Sequence, residues 1–464
     1  MSTRPRTAFT GVPSGAVTDS GTPKKARKYN DGVSSSISPL MAPIVARPAA
    51  DRRYAAARPV VLRSWTGKED RADTGGEGAA EPAQPGTAAI HMGTEVPTEL
   101  YPAERLTRVR EAAGRAGLDA LLLTPGPDLR YVTGYDALQL ERLTCLVVPA
   151  AGEPFLVVPR LELPAARESR AGALGVELVP WDETDDPYAL VAARLPRQAG
   201  KVAVADRMWA VMALRFRAAL PGAEQVAAGG VLRELRIRKS PAEVAALREA
   251  GAAIDRVHRR VPGFLKPGRT EREVGRDIAD AIIAEGHASV DFVIVGSGPN
   301  GANPHAEPSD RVIGAGEPVV VDIGGTMPSG YCSDSTRNYC VGAPPADYAA
   351  YHAVLREAQE ASCQAVRPGA TPEAVDAAGR DIIAAAGLGE HFFHRTGHGI
   401  GLETHEDPYI VAGNTEPLEP GMAFSIEPGI YPGAHGARIE DIVVCTRDGF
   451  ERMNHTPRET VIVD

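Results

Sequence analysis

The sequence has no run of eighteen apolar residues, so no membrane-spanning helix is expected. Nor does its N-terminus carry the apolar block that a secretory signal needs. Cysteine is scarce. Five residues in 464 (Cys145, Cys332, Cys340, Cys363 and Cys445) are scattered without a Cys-x-x-Cys pair. That spacing supports neither a disulfide framework nor a thiolate zinc knuckle, and buried free thiols are expected instead. No glycine-rich phosphate cradle is present, since Gly229-Gly230 belongs to no G-x-G-x-x-G, so a dinucleotide cofactor has no support. A basic face for nucleic acid is also missing. Residues 1–94 hold 13 Lys+Arg against 8 Asp+Glu, which leaves the rest of a chain of net charge −10 at −15. These absences point to a soluble, cytoplasmic protein with no nucleic-acid or membrane partner. Its 43% hydrophobic content is enough for a large core in two or three domains.

Residues 1–94 are rich in Pro, Ala, Gly, Ser and Thr without apolar periodicity, and are expected to be a disordered tail or to precede the true start, with Met92 the more natural one. The cluster Lys24-Lys25-Ala26-Arg27-Lys28 offers a targeting or nucleic-acid patch there, and the early Arg/Ser-rich residues faintly resemble a transit peptide. From 95 to 232 a helix (Glu104 to Ala116) and a series of short apolar strands (118–123, 143–149, 154–158, 175–180, 201–205) predict a compact α/β domain. A second domain, 233–464, opens at Ser240-Pro241-Ala242-Glu243, which combines an N-cap, a first-turn proline and a capping box. Lys266-Pro-Gly-Arg-Thr-Glu-Arg-Glu-Val274 then recurs as Arg367-Pro-Gly-Ala-Thr-Pro-Glu-Ala-Val375, each followed by Gly-Arg-Asp-Ile. Two similar half-domains are implied, with a site where they meet.

The chemistry concentrates in four stretches. Val319-Val-Val-Asp322 and Ser333-Asp334-Ser335-Thr336-Arg337 flank a Gly/Pro/Ser turn, so a hairpin sets two carboxylates against each other. Such a pair is costly unless a cation or a shared proton lies between them. His394-Arg-Thr-Gly-His398-Gly-Ile-Gly401 carries too much glycine for a helix and reads as a loop or strand. In Met422-Ala-Phe-Ser-Ile-Glu427, period-2 alternation sends Met422, Phe424 and Ile426 to the core and Glu427 to the other face. The same alternation puts Arg438 and Glu440 on one face. Taken singly, each acid reads as a strand-end cap or a solvated charge. Together Asp322, Asp334, His398, Glu427 and Glu440 form a donor set of mostly hard oxygens. It suits two divalent ions about 3.5–4 Å apart, Mn or Co foremost, with Fe and Zn also compatible.

With these motifs in this order, the chain from about 95 onward resembles the proline-specific metallopeptidases, the family of prolidase and Xaa-Pro aminopeptidase. Asp128-Leu-Arg-Tyr131-Val-Thr133-Gly134 resembles a signature of that family's N-terminal domain. The resemblance implies an α+β fold: a pita-bread catalytic domain with pseudo-twofold halves, preceded by a smaller α/β domain. It implies that Asp322 chelates one metal, that Asp334 and Glu440 bridge both, and that His398 and Glu427 complete the other. It further implies that Glu427 relays a proton to the leaving proline nitrogen, that His305 stands beside the substrate, and that His405 stabilises the oxyanion. His394, Tyr431 and Arg438 would line the pocket or orient ligands. The substrates implied are short proline-containing peptides, and the assembly a homodimer. Asp322 and Asp334 are 12 positions apart, one more than is common in the family, so a bulge or register adjustment is expected to keep Asp334 on the right face. Alternatives are a metal-dependent lyase of the same fold acting on a non-peptide molecule, or a catalytically silent binding relative. For single residues, His305 is alternatively a plain loop histidine, and Arg438 the structural partner of Glu440 or Asp441.

Overall fold

A computed structural model describes residues 98–463 apart from 197 and 198. The tail expected to be disordered, with Met92 and the basic cluster, lies outside the described residues.

Short β-branched and leucine runs bounded by Gly, Pro and Asp build the first sheet. Its strands are β1 (Ala120–Leu123), β2 (Cys145–Pro149), β3 (Phe155–Pro159), β4 (Glu177–Trp181), β5 (Lys201–Val204) and β6 (Glu224–Ala227), in the order β4-β3-β2-β1-β5-β6. β1 runs antiparallel to β2 but parallel to β5. Every residue of β1, β2 and β3 is buried, and Val109 and Ala112 of the helix Glu104–Arg115 share their core.

The second half begins at the helix Pro241–Phe264, where Ser240 and Glu243 form the reciprocal capping box. The sequence repeat is then met as two helices. Thr270 caps Glu271–Ala284 with a full capping box, whereas Thr371 caps Pro372–Ala385 without the return bond, because its third residue is Ala374 rather than a glutamate. Each helix pair packs on its own sheet. Helices Pro241–Phe264 and Glu271–Ala284 cover strands β7 (Ser289–Ser297), β8 (Pro318–Thr326) and β9 (Cys332–Val341), with β17 (Val461–Val463) on the outer edge. Helices Ala346–Ala365 and Pro372–Ala385 accompany β10 (Gly397–Gly399), β11 (Glu406–Ile410), β12 (Ala423–Ile426), β15 (Asp441–Cys445) and β16 (Phe450–Arg452). A two-stranded ribbon, β13 (Gly429–Ile430) and β14 (Ala437–Arg438), completes the half.

The strand period decides what faces the site. Val319, Val321 and Ile323 of β8 are fully buried with Ile254, Val257 and Ile278, each contributing about 1.5–3 kcal/mol of burial. Alternation then turns Asp322 to the opposite face. β8 and β9 pair in unbroken register, with Asp322 opposite Thr336 and Gly324 opposite Asp334. The expected bulge between them is absent. An even separation across a five-residue turn, 327–331, keeps both aspartates on one face without it. A bridge between Thr336 and Glu440 joins the two sheets, and there the acids meet.

Candidate metal centre

β8 brings Asp322, β9 brings Asp334, β10 brings His398, the end of β12 brings Glu427, and the bridge after β14 brings Glu440. Asp322, Asp334, His398 and Glu440 are all at most 6% exposed. The donor atoms fall into overlapping groups, all members of each within 4.8 Å of one another: Asp322, Asp334 and Glu440 in one, His398, Glu427 and Glu440 in another. Glu440 belongs to both. A third group joins Asp334, His398 and His405. His398 Nε2 lies 3.2 Å from Glu427 Oε1 and 3.7 Å from Asp334 Oδ2, while its Nδ1 stands 3.1 Å from the carbonyl of Gly399. Donating Nδ1–H there leaves the Nε2 lone pair facing the acids, the tautomer a metal needs. Close packing requires glycine at 397, since a Cβ there would run into the carbonyl of Ser425.

Around the acids stands a polar frame. Arg438 donates to Asp322 Oδ2, to Tyr431 Oη at 3.3 Å and to the carbonyl of Pro304 at 3.1 Å, which ties down the loop carrying His305. The Thr336 hydroxyl is 2.8 Å from both Asp322 Oδ1 and Glu440 Oε2, and accepts from Arg438 Nε at 3.1 Å. One hydroxyl hydrogen serves only one of those carboxylates at a time. Ser425 accepts from the His398 amide at 3.0 Å and donates to Glu427 Oε1 at 3.1 Å.

The electrostatics leave the cluster with an excess of negative charge that a cation would relieve. Burial pushes the Asp334 and Glu440 carboxyls well above the usual range, and the charges of Asp322 and Glu427 push both the same way. Glu427 is buried too, but its contact with the His398 ring and the charge of Arg438 hold its carboxyl low, at about 2. Glu440 Oε1 is buried with no hydrogen-bond partner, which is expensive for a carboxylate oxygen left as it stands. An orphaned acceptor among four converging acids fits divalent metal.

Known proteins agree with this geometry. Residues 105–238 match the creatinase/prolidase N-terminal domain, and residues 245–447 match metallopeptidase family M24. Across 366 residues the chain is 56% identical to the probable dipeptidase PepE of Mycobacterium tuberculosis, covering 79% of this chain and 97% of that one. The chain belongs to metallopeptidase family M24. The Xaa-Pro dipeptidase of Lactobacillus helveticus is 37% identical, over 72% of this chain and 92% of its own. The crystal structure of dipeptidase PepE from Mycobacterium ulcerans superposes with a TM-score of 0.74 at 57% identity, covering 79% and 98% of the two chains. The expected fold, a creatinase/prolidase-type domain ahead of a pita-bread domain, is the fold found.

Within this M24 enzyme the site residues named from sequence are not all equally placed. A cleft of about 350 Å³ is lined by the five candidate ligands together with His305, His405 and Arg438. The His405 ring lies tilted against that of His398, with ring centroids 3.9 Å apart. Burial, with the nearby His398 ring and the charge of Arg395, lowers it to about 4, so at neutral pH it is an uncharged donor. His394 and Tyr431 do not reach the cleft wall. Tyr431 donates to His394 Nε2 at 3.0 Å and braces Arg438 from behind. Arg438 pairs with Asp322, whereas Asp441 is held by the buried Arg337 at 2.6 Å.

Sequence reasoning passed over Thr336, Asp291, Phe292, Ile294 and Thr404, all of which touch the ligands or the cleft. Alternation from Asp334 through Thr336 was signal enough for the first. It also passed over a buried ion network. Arg236 donates to Asp128, Glu403 and Glu406 at 2.7, 2.6 and 2.5 Å, and Lys239 to Glu406 at 2.7 Å. The Asp128 signature thereby grips the segment that carries His405.

Proposed function

We propose that this M24 enzyme hydrolyses the bond ahead of proline in Xaa-Pro dipeptides and short peptides, with two divalent ions held by Asp322, Asp334, His398, Glu427 and Glu440. The membership of Glu440 in two donor groups carries the reading, because a shared carboxylate is what two adjacent cations require. When bound, the ions acidify water and polarise the scissile carbonyl.

The protein's own groups do the rest. Asp322 would hold one cation, Asp334 and Glu440 would serve both, and His398 with Glu427 would hold the other. Ser425 donates to Glu427 and aims it into the cleft, where it would take a proton from the attacking water and pass it to the leaving nitrogen. Neutral His405 donates to the developing oxyanion without adding a charge. His305 contacts the substrate from the loop tied to Arg438, and the chain from His394 through Tyr431 to Arg438 keeps Asp322 in place.

Manganese is the metal we favour, on the oxygen-rich donor set. All five cysteines are free and buried, in keeping with a reducing cytoplasm, and we place the enzyme there as a homodimer. No helix among the described residues is long and apolar enough to cross a membrane. The three relatives named above all carry dipeptidase names, which favours dipeptides over longer chains. Manganese-loaded protein incubated with Ala-Pro, Ala-Pro-Ala and Ala-Ala tests the reading. Cleavage of Ala-Pro is expected; cleavage of Ala-Ala alone, or of none, would overturn it.

A further inference from the structure

β7 pairs with β8 without a break except at one point. Val290 stands opposite Gly325 and Phe292 opposite the next residue, Gly324, so Asp291 is an extra residue with no partner. Regular alternation would group Asp291 with Val293 and Val295, which face the helix-covered core. The bulge instead turns it out to solvent, where it lines the mouth of the metal cleft. Its oxygens accept only neutral hydroxyls, from Thr326 at 2.7 Å and Ser289 at 3.3 Å. No arginine, lysine or histidine pairs with it among the described residues.

Two apolar groups lead inward from Asp291. Phe292 lies over Gly324, where any Cβ would overlap its ring, and Ile294 sits opposite Asp322. Deeper in, Arg438 is paired with Asp322 and two divalent ions would offset the ligand carboxylates, so Asp291 is the rim carboxylate without a cationic partner among the described residues. An apolar wall ending in a free carboxylate complements a methylene stem ending in a cation.

We infer that Asp291 gives the enzyme a preference for a lysine or arginine ahead of the proline. This rests on the Xaa-Pro reading above. The anionic end of a dipeptide is repelled by Asp291, so the N-terminal residue is the one that lies against the Phe292 wall. A partly solvated pair of this kind supports about a five- to tenfold selectivity.

The test measures kcat/KM for Lys-Pro, norleucyl-Pro and Glu-Pro with the metal-loaded full chain and with Asp291→Asn. In the wild type Lys-Pro should exceed norleucyl-Pro about fivefold or more, with Glu-Pro the poorest. In Asp291→Asn the ratio of Lys-Pro to norleucyl-Pro should fall to about one, and in Asp291→Lys the order of Lys-Pro and Glu-Pro should reverse. A ratio unchanged by Asp291→Asn overturns the inference. So does an equal loss on all three substrates, which would place the carboxylate at the α-amino group. Should no Xaa-Pro peptide be cleaved, the functional reading fails by itself. Asp291 is then judged by binding of a reduced-bond Lys-Pro analogue, where equal affinity for wild type and Asp291→Asn refutes it.

Discussion

Replacing Thr336 by valine removes one hydroxyl from the middle of the acid cluster and leaves the side-chain shape almost unchanged. Thr336 is fully buried, with its oxygen 2.8 Å from Asp322 and Glu440 and 3.1 Å from Arg438 Nε. The lost bond is to an ionised carboxylate, worth about 1.5–3 kcal/mol. That stabilisation is not felt equally in the two states of the site. Without cations, burial and the neighbouring acids hold the Asp334 and Glu440 carboxyls well above the usual range, which favours their neutral forms. With cations bound, every carboxylate is ionised and needs its donors. The hydroxyl therefore favours the loaded form, and its loss should weaken metal affinity about 10- to 100-fold. Chelator-competition titration of Mn²⁺ reads this directly, with Thr336→Ser as the variant that should recover most of the affinity. Wild-type affinity in Thr336→Val would refute the view that this hydroxyl supports the ligand set.

Asp334→Asn should lose metal at both positions if Asp334 is shared, which elemental analysis after dialysis would show; full stoichiometry with full activity would remove it from the site. His405→Ala should retain both ions and lower turnover on the order of 10²-fold, and unchanged kcat would make it a bystander. Arg236→Ala leaves Asp128 without its cationic partner, while Glu403 keeps Arg207 and Glu406 keeps Lys239, so a loss of about 1–3 kcal/mol in urea unfolding is expected; a loss below about 0.5 kcal/mol would mean water reaches the network. Burial and Arg356 lower His352 to about 4. The unfolded chain then takes up a proton below about pH 6.5 that the native state refuses, and stability falls as pH drops from there towards 4. His352→Gln should flatten this decline by up to about 1.36 kcal/mol per pH unit, measured as the difference in unfolding free energy from wild type; parallel pH profiles would contradict it.

Much of the site was legible before folding because its signals are local. A β-branched run ending in Asp322, a Gly/Pro/Ser turn and a return strand specify a hairpin within 19 residues, Val319 to Arg337. Period-2 alternation places Glu427 and Glu440 away from the core wherever their strands lie, and the capping residues Ser240, Thr270 and Thr371 mark their helices unaided. Other assignments depend on which strand lies next to which, and those were decided by tertiary structure. Arg438 had a local candidate partner in Glu440, but the sheet junction hands it Asp322, 116 positions away. Asp291 belongs by alternation to the core, and only the pairing of β7 with β8 exposes the extra residue that turns it into the cleft. Tyr431 and His394 read as residues that line the pocket or orient ligands, and packing sets them behind Arg438, which Tyr431 braces. The sequence by itself determined which acids and histidines are present and which way each strand turns them, because turns, caps and alternation act over a few residues. The fold decided how they meet, because charge pairing and strand register are settled only when distant segments come within a few ångströms of one another.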